Sequence, residues 1–189
     1  MQQRTQKIFA LAGITLLALN LRTAVSSLSP VVGFIQNDIS LPIITIGLLG
    51  IAAPLAFALA SALSYRPARK YGVEMTLIMV VLAIVGGHLI RALAWDSTAL
   101  FFGSLLSLFG AGVGNVLLPV MVRKYFANRI GLISAFYITM TSVSATIGSL
   151  FAVPVAEAAG WRLSLGQWGI LAALTLLPLL AIRRNSTPE

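Results

Sequence analysis

The sequence predicts an all-α polytopic membrane protein, and three observations carry that prediction. Hydrophobic residues make up 58% of the 189 and charged residues only 10%, with a mean hydropathy of +0.95. That is far too apolar for a water-soluble domain of this length. The apolar runs are long and continuous rather than alternating, as helices require and the short strands of a membrane barrel do not. The basic residues gather in short breaks between those runs. The net charge of +8 therefore records membrane topology, and a nucleic-acid partner is not expected.

The first apolar run, Ile8 to Ile35, begins a helix expected over about 8–36. A charged start followed by an apolar stretch also fits a signal peptide. The run exceeds signal-peptide length, however, and five further spans follow it. Asn20 and Arg22 lie in its middle. At 1.5 Å per residue Arg22 stands roughly 21 Å along the helix, past the centre of a hydrocarbon core about 30 Å thick. A guanidinium cannot escape desolvation by losing its proton, so it needs a wet cavity, a protein partner or an anionic ligand. Pro30 is the expected kink, with Ser26, Ser27 and Ser29 satisfying freed backbone groups.

The second helix is expected over about 42–64, rich in alanine and with Gly47 and Gly50 for close packing, before the polar stop Tyr65 to Gly72. The third covers about 73–93 and ends at the Trp95–Ser97 turn, where an indole suits an interface. The fourth, about 99–122, sets Gly103, Ser107, Gly110 and Gly114 on one face for intimate helix contact. The basic loop Arg123 to Arg129 leads to the fifth, about 130–158, and the sixth covers about 163–182. These form a single bundle, 1–189. Each triplet of helices opens with a long helix bearing polar residues and a proline, which suggests an inverted three-plus-three repeat. Arg4, Lys7, Arg66, Arg69, Lys70, Arg123, Lys124, Arg129, Arg183 and Arg184 fall on the side of the termini, leaving Arg22, Arg91 and Arg162 elsewhere. Both termini are accordingly expected in the cytoplasm, with the protein in an inner (plasma) membrane.

Four features could carry chemistry. Arg22 is the first. Asn115 lies roughly 11 Å from the basic end of the fourth helix and can bind a ligand or join two helices. Ser134, Tyr137, Thr141, Ser144 and Gly148 form a stripe at helical spacing on the fifth helix, either a wet face or hydroxyls bonded to their own backbone. His88 and Arg91, three apart, read as a solvated pair near the outer interface. No carboxylate lies near the midplane: Asp38, Glu74, Asp96, Glu157 and Glu189 all sit near span ends or in loops. A proton relay is therefore not visible. The chain has no Cys and a single His, so neither a metal site nor any other cofactor is expected, and no hydrolytic constellation marks an enzyme.

Several segments together, NLRTAVSSLSPVV at 20–32, RPARKYGVEMTL at 66–77, IRAL at 90–93, GNVLLPVMVRKYF at 114–126 and VPVAEAAGWR at 153–162, resemble the cyanate and 2-nitroimidazole transporter family of the major facilitator superfamily. The likeness covers nearly the whole chain, and its first and fourth segments are the most specific. It implies a twelve-helix carrier of two six-helix bundles around a central cavity lined largely by helices 1, 2, 4 and 5 of this half. Arg22 and Asn115 fall on cavity-lining helices. The loop after the second helix departs from the superfamily pattern GxxxDRxGRR, with Arg69 in place of its Asp and Tyr65 in place of its first Gly. The expected function is transport of a small anionic or polar solute, cyanate-like or nitroimidazole-like, by alternating access, this chain supplying the N-terminal half. Arg22 would supply charge, and Asn20, Asn115, Tyr137 and Thr141 hydrogen bonds. The partners expected are that solute, the bilayer, and a second six-helix half or a second copy of the chain. The alternative is a truncated half that folds or dimerises in the membrane without transporting.

Overall fold

The computed structural model describes residues 2–185, with side-chain surroundings for 4–184, and no strand occurs among them. Six spans are long and apolar enough to cross a membrane: Arg4–Gln36, Ile43–Leu63, Val73–Ala92, Ser97–Tyr125, Ala127–Ala159 and Trp161–Arg184. The first is not one helix. It comprises α1 (Gln2–Asn20), α2 (Thr23–Ser26), a 3₁₀ turn (Ser29–Val31) and α3 (Val32–Gln36). One interruption falls at Leu21 and Arg22, and a second at Ser27 to Val31, around the expected kink at Pro30. Pro30 occupies the first turn of the 3₁₀ segment, where a missing N–H costs nothing. The second span is α4 (Ile43–Leu63), followed by the short basic α5 (Tyr65–Tyr71). Then come α6 (Val73–Ala92), α7 (Ser97–Tyr125) and α8 (Ile130–Ala159), and the last span is divided into α9 (Trp161–Gly166) and α10 (Trp168–Asn185).

The packing is that of an inverted repeat. The third span packs on the fourth as the sixth packs on the first, and the second lies on the fourth as the fifth lies on the first. The third and sixth meet each other. Exchanging spans 1 with 4, 2 with 5 and 3 with 6 therefore returns these five principal contacts, as repeats of opposite topology require. Backbone conformation repeats as well. Gly72 (φ 82°) precedes the third span and Gly160 (φ 89°) the sixth, and these are the two positive-φ residues among those described.

Two residues after each of these glycines, a charged side chain reaches the span that the repeat predicts. Glu74 accepts from Tyr125 Oη at 2.6 Å and pairs with Lys124 Nζ at 2.7 Å, closing the third span on the end of the fourth. Arg162 pairs with Asp38, whose Oδ2 also accepts from Trp161 Nε1 at 3.0 Å, closing the sixth on the end of the first. Arg162 further donates to Ala94 O through Nε and Nη2, at 3.2 and 3.0 Å. One clasp sits at each end of the bundle, with the charges exchanged.

The main core is built by α1, α6, α7 and α10 around Ile14, Leu17, Leu77, Ile84, Leu118 and Leu179. Small residues make the tightest crossing. A Cβ on Gly87 would lie 2.5 Å from Ser107 N and 2.7 Å from Gly103 O, so α6 and α7 touch backbone to backbone. The second and fifth spans are covered least, 17% and 6% of their apolar windows against 61% for the fourth. They are the most exposed spans among the described residues.

Candidate functional site

The interruption at Leu21–Arg22 is held open by side chains from elsewhere in the bundle. Ser144 of α8, fully buried, donates to Leu19 O at 2.6 Å and accepts from Arg22 N at 3.2 Å. Thr23 Oγ1 donates to Asn20 O at 3.2 Å. These hydroxyls take over backbone groups that a continuous helix would pair, which is why the chain can unwind at membrane depth. α8 can come this close because position 148 is glycine: a Cβ there would collide with Ser26 Oγ and lie 3.2 Å from Thr23 Cα.

Arg22 emerges from this break exposed. The ion pairs among the described residues are Lys124–Glu74 and Arg162–Asp38, so Arg22 has no carboxylate partner there. Asn115 is also exposed, and its neighbour Gly114 packs on Leu21, with 3.0 Å from a Cβ there to Leu21 Cδ2. That contact sets Asn115 at the level of the break. Tyr137 and Thr141 are half-buried on α8, one or two turns from Ser144. Thr141 Oγ1 bonds Ile138 O of its own turn at 2.7 Å, and Tyr137 packs against the main core.

Two expectations are corrected here. Asn20, expected to meet the solute, is 1% exposed and turned into the bundle. Its Nδ2 donates to Leu16 O at 2.8 Å and to Thr175 Oγ1 at 3.1 Å, joining the first span to the last. His88 and Arg91, expected in solvent, are both completely buried. Arg91 Nη1 donates to Ala24 O of α2 at 3.1 Å, while its Nε and Nη2 have no partner. His88 Nδ1 bonds Leu165 O at 3.1 Å and must carry the proton, since a carbonyl only accepts. The signal was present in the spacing. Residues 84, 87, 88 and 91 share a helical face, and Gly87 marks it as the face of closest packing.

At the end away from the termini, Asp38 lies outside the spans. Hydrogen bonds from Arg162 and then from Trp161 hold its carboxyl below the ordinary value of 3.8. The Arg162 guanidinium also stacks 4.3 Å from the Trp161 ring.

A six-span bundle of inverted repeats, with a broken first span and an exposed cation at the break, has the architecture of a secondary transporter module. The chain belongs to the major facilitator superfamily, whose sequence model matches residues 12–189. It is 32% identical to an uncharacterized transporter, YycB, of Bacillus subtilis, over 93% of this chain and 44% of that protein. It is 34% identical to the 2-nitroimidazole transporter of Escherichia coli, over 93% of this chain and 43% of that protein. A third relative, sugar transport protein 11 of Arabidopsis thaliana, is 28% identical over 65% of this chain and 25% of its own length. The chain thus spans less than half the length of these relatives.

Proposed function

We propose that this chain supplies one six-helix half, the N-terminal one, of an inner-membrane carrier that moves a small anionic or strongly polar solute by alternating access. A second half, or a second copy of the chain, covers the face bordered by the second and fifth spans. The observation that carries the reading is Arg22, exposed at a break in the first span without a carboxylate partner. An uncompensated guanidinium at that depth is costly against lipid and favourable beside an anion in a wet cavity. Arg22 provides charge, and Asn115, Tyr137 and Thr141 provide hydrogen bonds. Asn20 is given a supporting role, fixing the first span to the last through Thr175.

Likeness to the 2-nitroimidazole transporter supports a small oxygen-bearing solute, either a planar nitroimidazole-like one or a linear cyanate-like anion. A planar guanidinium fork suits the two oxygens of a nitro group through paired hydrogen bonds, and its charge suits cyanate. The basic clusters at the end of the bundle bearing the termini support a cytoplasmic location for both. The test uses the transporter reconstituted with both halves, with cyanate and 2-nitroimidazole as probes. Arg22→Lys, which keeps the charge and loses the fork, is expected to lose most transport at normal membrane abundance. Unchanged probe affinity in correctly folded Arg22→Ala overturns the assignment.

A further inference from the structure

At the end of the bundle that carries the termini, a cavity of about 950 Å³ opens between α1 and the junction of α7 and α8. Arg4 and Lys7 line it from α1, and Lys124 and Arg129 from the junction, with Asn128 between them. Lys124 is already paired, to Glu74 at 2.7 Å. Arg4, Lys7 and Arg129 have no carboxylate partner among the described residues. The topological preference for basic residues at this end accounts for their number. It does not account for cations from two separate spans converging on one cavity while the nearby carboxylate is taken up by Lys124. Three unpaired like charges around a concave wall repel one another and raise the local potential, an arrangement that an anion relieves.

We propose that this cavity is a second anion site, built for a phosphate-type oxyanion carried either by a free solute or by a lipid headgroup. Two guanidiniums and an ammonium match the several oxygens and multiple charge of a phosphate. The volume exceeds what a bare monatomic ion needs and lies in the range of small-molecule sites. The site is distinct from Arg22. Arg22 follows Arg4 by eighteen residues, roughly 27 Å of helical rise, and lies beyond the break that ends α1 at Asn20. The proposal stands whether or not Arg22 binds solute.

Asn128 lines the cavity, and the chain contains no cysteine, so Asn128→Cys makes a single reporter thiol. The chain is placed in phosphatidylcholine nanodiscs, and its labelling rates with anionic and cationic thiosulfonates of similar size are compared with those of Ser97→Cys at the opposite end. The anionic reagent is expected to be favoured about tenfold more at position 128 than at 97, and salt should erase the bias. Inorganic phosphate slows labelling at 128 if the ligand is a free anion. Replacing the lipid with phosphatidylglycerol slows it if the ligand is a headgroup. Either protection supports the site, and should vanish in Arg4→Gln/Lys7→Gln/Arg129→Gln. Equal reagent preference at the two positions, or no protection by phosphate or phosphatidylglycerol, overturns it. The parent protein alone decides this, so a poorly folding triple variant does not. Arg22→Ala is expected to leave the protection intact, which keeps this result separate from the fate of the Arg22 assignment.

Discussion

Replacing Ser144 with alanine tests whether the break in the first span is held by the bundle. Ser144 Oγ is buried and serves two backbone groups, the Leu19 carbonyl at 2.6 Å and the Arg22 amide at 3.2 Å. Removing it orphans both. A buried unpaired polar group costs about 1–3 kcal/mol in general. Interhelical hydrogen bonds in bilayers average only about 0.6 and reach about 1.7 kcal/mol, because the unfolded chain in lipid finds other partners. Alanine is the better helix former by up to about 0.5 kcal/mol, which works against the loss. A net destabilisation of about 1–2 kcal/mol is expected in reversible unfolding by dodecyl sulfate. Ser142→Ala is the matched control, since Ser142 is exposed and bonds only Ile138 O of its own turn, at 3.3 Å. Hydrogen exchange at the Arg22 amide should quicken in Ser144→Ala and not in Ser142→Ala. Equal stability of the two variants, with unchanged exchange at Arg22, would refute the account.

Three further outcomes follow from the geometry. Arg91 balances complete burial with one hydrogen bond, to Ala24 O; Arg91→Met is therefore expected to be neutral or to stabilise by about 1–4 kcal/mol, and a loss above about 1 kcal/mol in the same unfolding assay contradicts this. Gly87→Ala places a Cβ 2.5 Å from Ser107 N, where no rotamer offers relief, so a loss of about 1–3 kcal/mol or failure to accumulate in the membrane is expected. Asp38 has its pKa lowered in the folded state, so its contribution is present above the ordinary value of 3.8 and fades as pH falls through the lowered one. The fluorescence of a protein retaining only Trp161 should thus change below pH 3.8 and lose that transition in Asp38→Asn; a midpoint above pH 4.5 would show that Arg162 does not hold the carboxylate.

The six spans and the asymmetry of basic charge were legible in the sequence, because partition into a bilayer depends on local composition added along the chain. The stripe Gly103, Ser107, Gly110 was legible for a similar reason: helical spacing alone puts those residues on one face, and only small ones admit a neighbouring backbone. The fate of each polar side chain was not local in this way. Asn20 was read as a ligand contact and is a bridge to Thr175, 155 residues away. Arg91 was read as solvated and is buried against a carbonyl 67 residues away. The irregular turn around Pro30 was legible because proline is visible in the sequence, whereas the further break at Leu21–Arg22 was not, since the hydroxyl that supports the unwound backbone comes from Ser144, 125 residues from Leu19. Composition decided which segments enter the membrane; packing decided which polar groups face one another and which stay exposed, since inside a bilayer a hydrogen-bonding group must find a partner wherever the fold brings one near.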